Sequence, residues 1–333
     1  MKVLILKPSS LGDIIHAIPV LRLIKIQRPK WTIHWWIAKN FAPLLEMDRD
    51  IGALHYFDRG AWNSFSGIAR GISSLEGMKA EKYDLVIDLQ GLARSALHGW
   101  AVGGGYTVGL DQRREGASLF YDASVPRPSL HAHAVDWYLQ VLTELGLSVE
   151  GSYEWLPERP WVAEGLGNLG YQPKYRWIAL CPGARWESKR WPVESFEELI
   201  KRIDLPDVRF VVIGGKDDQA IGKRLGRLDS TLDLTGRTSL PEMIEWMRVC
   251  STVVTNDTGP MHIAAALGVR VLALFGPTDS RKTGPYSSNS KVLRQVYGQC
   301  DQCVRGRSYR VKGHNCMESI TPDVVVSEVN ACE

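Results

Sequence analysis

One pattern constrains this 333-residue chain more than any other. Short apolar runs end in turns of Gly, Pro or Ser, and helically spaced apolar residues follow them. "KVLILK" precedes "DIIHAIPVLRLIKIQ", and "WTIHWWIA" and "YDLVIDLQG" come next. A second series opens at "RWIALCPGA". It continues through "VESFEELIKRI", "VRFVVIGGKDD", "LPEMIEWMRVC", "TVVTND", "GPMHIAAALG" and "RVLALFGPTD". Strands alternating with helices predict parallel sheets covered by helices, an α/β fold. The length suits two domains. "EGSYEWLPERP" (150–160) is polar, carries Gly and Pro, and reads as the joining region. The expected domains are 1–160 and 161–333, two Rossmann-like α/β/α domains facing a central cleft. Trp31, Trp35 and Trp36 read as strand core. "GGGYTVG" (103–109) is glycine-rich, but the residues before it do not read as a strand.

Composition narrows the function classes. The chain is 44% apolar and 23% charged, which is globular usage. A net charge of +3 is too small for nucleic-acid wrapping, although a local basic patch can hold an anionic substrate. Val3–Leu6 is shorter than the roughly 7–15 apolar residues of a signal peptide. Nothing approaches the ~20 apolar residues of a membrane span. The expectation is a cytoplasmic protein, with peripheral contact at the membrane face left open. Cys181 and Cys250 lie in apolar surroundings and read as packed thiols.

In open parallel sheets, ligands bind beyond the carboxyl ends of the strands. Four turns there carry candidate chemistry. In "KPSSLGDIIH", Asp13 opens the first helix, either as a cap or as a general base. In "CPGARWESKRWP", Lys189 and Arg190 either hold phosphates or form a solvated loop, and Pro192 reads as the first residue of a helix. In "VIGGKDD", Gly214-Gly215 permits close backbone approach, and Asp217 or Asp218 can accept from ribose hydroxyls; an ordinary turn has the same letters. In "NDTGPMHIAAALG", Asp257 or Thr258 can cap the helix, and Gly259 leaves room at its mouth. Such a mouth binds anions, and His262 can add a donor. A well-capped structural helix is the alternative. No P-loop pattern is present, and no G-x-G-x-x-G follows a strand. "DRD" (48–50) superficially fits a D-x-D metal motif, but it reads as a polar connection.

Taken together, "KPSSLGDIIHAIPVL", "YDLVIDLQGLARSAL", "REGASLFY", "SKRWP" and "NDTGPMHIAAALGVRVLALFGPTD" resemble the ADP-heptose:lipopolysaccharide heptosyltransferases. The resemblance runs in order from residue 1 to about 285. It implies a GT-B fold, with acceptor bound by the first domain and nucleotide sugar by the second. It also implies chemistry that inverts the anomeric centre and needs neither cofactor nor metal. Asp13 matches the catalytic carboxylate, and Lys189 the lysine that neutralises the leaving diphosphate. Asp257, Thr258, Gly259 and His262 match the donor signature, with Ser10 near the site and Asp218 and Thr238 around ribose and base. Arg59, Arg114 and His133 match the acceptor side. "DLQGLARSAL" and "REGASLFY" lean towards the enzyme that adds the first heptose to Kdo. The tail "CDQCVRGRSYRVKGHNCMESI" resembles that of second-heptose relatives instead.

Two regions keep alternatives. Cys300, Cys303, His314 and Cys316 can hold a structural zinc or form a disulfide, and free thiols in a compact tail are the preferred reading. The loop "DRGAWNSFSGIARG" (58–71) either meets an anionic sugar-lipid or membrane surface, or is a plain surface loop. The expected partners are ADP-heptose and a lipid-linked sugar acceptor. Rival functions are transfer from another nucleotide sugar, transfer to a protein or other glycan, and nucleotide-sugar binding without catalysis. Asp13 argues against the last, because a binder needs no base there.

Overall fold

The computed structural model describes residues 1–57, 65–112, 115–294 and 316–331. The chain divides into two compact units, Met1–Pro157 and Glu158–Glu333. In the first unit the strands are β1 (Lys2–Leu6), β2 (Thr32–Ala38), β3 (Ala53–Phe57), β4 (Tyr83–Asp88), β5 (Gly104–Asp111) and β6 (Ala123–Pro126). Its helices are α1 (Leu11–Gln27), α2 (Phe65–Ala80), α3 (Ala93–Val102) and α4 (Ala134–Glu144). The second unit carries β7 (Arg176–Cys181), β8 (Val208–Val212), β9 (Thr231–Asp233), β10 (Thr252–Asn256), β11 (Arg270–Leu274) and β12 (Ser290–Leu293). Around these lie α5 (Pro160–Ala163), α6 (Val193–Arg202), α7 (Gln219–Leu225), α8 (Leu240–Arg248), α9 (Gly259–Ala266), α10 (Ser280–Thr283) and a C-terminal helix, Pro322–Asn330.

Both six-stranded sheets are parallel, and both have the same order. The first runs β3-β2-β1-β4-β5-β6, and the second runs β12-β11-β10-β7-β8-β9. Each is therefore the doubly wound 3-2-1-4-5-6 arrangement counted within its own unit. The order reverses between β1 and β4 in one unit and between β7 and β10 in the other. A reversal of this kind opens a crevice at the carboxyl ends of the two strands concerned.

Local sequence explains the elements. Parallel strands covered on both faces read as continuous apolar runs, and β1 and β10 are buried almost throughout. Helix α1 is buried from Ile14 to Ile24 on all sides, as an apolar-all-round helix must be. Helix α6 buries only Phe196, Leu199 and Ile200 and turns its charged residues outward. Pro192 is the N-cap of α6 rather than its first residue, a one-position difference from expectation. The second core joins Ile178, Leu180, Phe210 and Leu272 to Phe196 and Leu199, and closes against Val325 and Val329 of the C-terminal helix. Trp35 and Trp36 are core, as expected, and Trp31 is only half-buried. Cys181 and Cys250 are buried; burial pushes the Cys181 thiol up to about 12. Cys316 is buried as well, while Cys300, Cys303 and His314 lie outside the described residues. Among the described residues, no helix is long and apolar enough to cross a membrane.

Strand β5 departs from expectation. The glycine-rich stretch is itself a central strand, and its glycines mark close approaches. A Cβ on Gly104 would lie 2.8 Å from the Val86 side chain, and one on Gly105 would lie 2.9 Å from the Asp84 carbonyl oxygen. One on Gly109 would enter the ring of Tyr121.

Candidate functional site

In the second unit the reversal brings the loops after β7 and β10 side by side. Asn256, the last residue of β10, is fully buried. Its Nδ2 donates to the Pro182 carbonyl (2.7 Å), and its Oδ1 accepts from the Trp191 amide (3.1 Å). One side chain thus pins both ends of the loop that carries Lys189. That loop makes a single tight turn, Glu187–Lys189. It delivers the Lys189 ammonium to Asp257, Nζ to Oδ2 at 2.6 Å, with side chains 17% and 8% exposed. The same oxygen accepts from Thr278 Oγ1 at 2.7 Å. Asp257 and Thr258 were the alternative caps, and the structure selects Thr258. The Asp257 carboxylate is turned to Lys189 and Thr278.

Thr258 is extended (φ −154°, ψ 170°), and its side chain makes no capping bond. The first-turn N–H groups of α9 therefore lack the side-chain acceptor that usually satisfies them, which leaves a mouth suited to an anion. Gly259 and Pro260 open the helix, and His262 is buried at the end of its first turn. An ammonium, a hydroxyl and a helix mouth meet here at one strand end.

A third loop is tied in. Asp218 Oδ2 accepts from the Gly215 amide at 2.9 Å, and Oδ1 lies 3.7 Å from Arg190. A Cβ on Gly214 would lie 2.8 Å from Asp218 Oδ2, and one on Gly183 would collide with the same carboxylate. Both glycines are needed for this approach. Asp218 thus ties the turns after β7 and β8 together. Thr238 is half-buried immediately before Ser239, the N-cap of α8; no bond places it with Lys189 and Asp257.

In the first unit the reversal lies between β1 and β4. Ser10 donates to Asp13 Oδ2 from both its amide (3.0 Å) and its hydroxyl (2.6 Å). Asp13 is therefore a cap of α1, whatever else it does, and its carboxylate is held in one orientation. Lys7, at the end of β1, donates to the Leu89 carbonyl (2.8 Å) and to the Tyr138 hydroxyl (2.9 Å). It links the loop after β1 to the loop after β4 and to α4. Asp88 is fully buried. Its carboxylate accepts from Tyr121 Oη (2.7 Å) and from the amides of Gln90 (2.8 Å) and Gly91 (3.1 Å). Burial nonetheless holds its pKa above the usual carboxylate range. His133 is the N-cap of α4, where Nδ1 accepts from the Val135 amide, and its ring meets His16 edge-on at 5.1 Å. A cavity of about 280 Å³ opens at this end of the sheet, lined by Ser9, Trp36, Gln90, Arg94 and Glu115 among others. Arg59 and Arg114 lie outside the described residues.

The D-x-D stretch is settled by its contacts. Arg22, buried on α1, makes a two-pronged pair with Asp48 (2.8 and 2.5 Å) and also reaches Asp50 (2.5 Å). It is the polar connection expected. Sequence reasoning assigned no role to Asn256, Thr278, Tyr138 or Lys7. A lysine closing an otherwise apolar strand was the one available signal.

Two doubly wound parallel sheets, with candidate groups at the reversal point of each, are the layout of the GT-B fold. The comparisons specify it further. The sequence model for Glycosyltransferase family 9 (heptosyltransferase) matches residues 73–312, and the chain belongs to that family. It is 30% identical to lipopolysaccharide heptosyltransferase 1 of Escherichia coli K12, covering 88% of this chain and 93% of the relative. It is 26% identical to lipopolysaccharide heptosyltransferase 2 of the same organism, over 99% and 98% of the two chains. The fold superposes on the E. coli heptosyltransferase WaaC with ADP at a TM-score of 0.82, with 25% identity and full coverage of both chains. A family 9 glycosyltransferase from Veillonella parvula gives 0.84 at 23% identity, covering 99% of this chain and 96% of that one.

Proposed function

We propose that this glycosyltransferase moves heptose from ADP-heptose to the Kdo of a lipopolysaccharide inner-core acceptor, with inversion and without a metal ion. One observation carries the donor assignment: Lys189, Thr278 and the mouth of α9 converge on Asp257 at the β7/β10 reversal. A diphosphate fits that set of donors. The similarity to a heptosyltransferase structure holding ADP supports the same assignment. The acceptor hydroxyl attacks C1 of the heptose, and its proton passes to Asp13. The C1–O bond to the β-phosphate breaks, and its electron pair leaves with ADP. Charge grows on the departing diphosphate, where Lys189 and the helix mouth stabilise it; fixed donors aimed at developing charge are often the largest catalytic term. These groups take the place that a divalent cation fills in other transferases, and Arg22 already neutralises the Asp48–Asp50 pair. Ser10 fixes Asp13, while Asp218, Thr238, Thr258, Gly259 and His262 complete the donor side. Arg59, Arg114 and His133 serve the acceptor. The first unit is the acceptor unit, and it works at the cytoplasmic face of the membrane that carries the lipid-linked sugar.

The deciding experiment pairs substrate panels with one variant. ADP-heptose, UDP-sugars and GDP-sugars are titrated against the protein, and products from Kdo-bearing acceptors are read by mass. Only ADP and ADP-heptose should bind, and turnover should persist in excess chelator. Asp13→Asn should lower kcat by at least ~100-fold with ADP affinity unchanged. Undiminished turnover in that variant would leave Asp13 as a helix cap alone, and binding of UDP-sugars in preference would sink the donor assignment.

A further inference from the structure

Three histidines meet on one face of the first sheet. His34 and Trp36 share a face of β2, and His55 and Phe57 share the same face of β3, because side chains two apart in a strand point the same way. Tyr83, at the start of β4, joins them. Its hydroxyl lies 2.9 Å from His34 Nδ1 and 2.8 Å from His55 Nε2, and the two nitrogens are 3.3 Å apart. His98 of α3 lies flat on Trp36, with ring centres 4.2 Å apart and planes 13° from parallel. Its Nε2 is buried with no hydrogen-bond partner among the described residues. Trp36 and Phe57, with ring centres 4.9 Å apart, both line the cavity of about 280 Å³.

Proton counting limits the triangle. A neutral imidazole carries one N–H. One ring nitrogen can donate to the phenol oxygen, and the phenol can donate to the other. Two protons among three atoms thus satisfy both short contacts. A third proton on the accepting nitrogen leaves the phenol hydrogen with no acceptor among the three. On the far nitrogen of the donating ring, it places a charge in a buried seat, where His34 is 6% exposed. The charged groups nearby do little to offset this. Glu81 favours protonation of His34 and His55, but it is paired with Lys2 at 2.7 Å, and Lys2 opposes it at His34. Helix α2 turns Leu75 and Met78 to this face, and its Glu76 and Lys79 are exposed. Burial therefore dominates. It holds His34 and His55 below the usual 6.5 and takes His98 down to about 4.

We propose that the His34–Tyr83–His55 triangle, with His98 behind Trp36, is an acid-sensitive clasp that sets the Trp36–Phe57 wall of the cavity. Closed, it ties the edge strand β3 to β2 and β4 through side chains. A proton entering it loosens that wall. Its effect on the acceptor rests on the proposed reading of the first unit as the acceptor unit; the clasp itself does not. The folded histidines bind protons less readily than unfolded ones. Their contribution to stability is therefore fully present above about pH 6.5 and is lost as pH falls from there through about 4.

The test compares about pH 7.5 with about pH 5 for wild type, His98→Phe, the double variant His55→Phe/His98→Phe, and Trp36→Leu. For His98 alone, a fall from 6.5 to about 4 disfavours the folded state about 30-fold at pH 5. His98→Phe keeps a ring on Trp36 and cannot titrate. Its melting temperature should therefore drop about 4–8 °C less than that of wild type on acidification, and that of the double variant less still. The KM for a Kdo-bearing acceptor should rise about threefold more in wild type than in the double variant. ADP affinity, read by calorimetry, should change equally in both. Equal melting shifts in wild type and the double variant overturn the clasp. Ring-proton NMR of wild type reads the same point should the variants fail to fold: all eight imidazoles titrating at 6.5 or above overturn it equally. Altered melting shifts with equal changes in acceptor KM overturn its hold on the wall. Trp36→Leu with the wild-type acceptor KM at pH 7.5 instead removes the cavity from the acceptor reading, and the two failures are thereby told apart.

Discussion

Asp257 is an acidic residue at a place proposed to hold an acid's conjugate base, and its contacts explain why that is tolerable. It neutralises and aims Lys189 at 2.6 Å, and Thr278 fixes the same oxygen at 2.7 Å. Removing the lysine therefore does two things: the diphosphate loses a cation, and it meets an uncompensated carboxylate. We expect Lys189→Ala to weaken ADP binding about 10- to 100-fold, or ~1.4–2.8 kcal/mol. Asp257→Asn keeps a partner for Thr278 and leaves Lys189 charged, so it should weaken ADP less. Calorimetric titration of both variants ranks them, and the reverse order would remove Lys189 from the diphosphate site. At this scale the sequence was half legible. Lys189 and Asp257 stood out because each sits in a turn after an apolar strand. Their pairing did not, because 68 positions separate them and only the strand order brings them together. Thr278 was invisible for the same reason.

Among the elements, α1 carries the clearest internal conflict. It is buried on every side from Ile14 to Ile24, yet it contains Arg22. The guanidinium is satisfied by Asp48, Asp50 and the carbonyls of Glu154 and Trp155. Asp48 is the more exposed to loss, since its side chain is only 1% accessible. Arg22→Ala should strand that carboxylate and cost about 3–5 kcal/mol. A domain of this size should then melt roughly 6–20 °C lower. Thermal unfolding of the variant checks this, and a shift under 2 °C would mean that water replaces the arginine, on the order of a surface pair. The strands that sequence reasoning found, β1, β2, β4, β7, β8, β10 and β11, are apolar runs that are mostly buried. It missed β5 because Gly104, Gly105 and Gly109 dilute the apolar signal, although those glycines exist to admit Val86, Asp84 and Tyr121. It missed β3, β6, β9 and β12 because edge strands of three to five residues carry too little pattern.

For the whole molecule, the shared strand order is the organising fact. Each unit has its own sheet and its own core, and each places its candidate groups where its own order reverses. The alternation of strand and helix made two α/β domains legible from sequence; the 3-2-1-4-5-6 order was not, because parallel neighbours are chosen by packing rather than by adjacency in the chain. Independent cores have a thermodynamic consequence. A ligand stabilises what it binds by RT ln(1 + [L]/Kd), about 2.7 kcal/mol at one hundred times Kd. If ADP binds at Lys189 and the mouth of α9, that free energy enters the second unit. Arg22→Ala removes its free energy from the first. Scanning calorimetry should therefore resolve two transitions. ADP should raise one of them, and Arg22→Ala should lower the other. A single transition moved by both would show that the two cores unfold as one, and a transition that ADP raises and Arg22→Ala also lowers would place the nucleotide on the first unit.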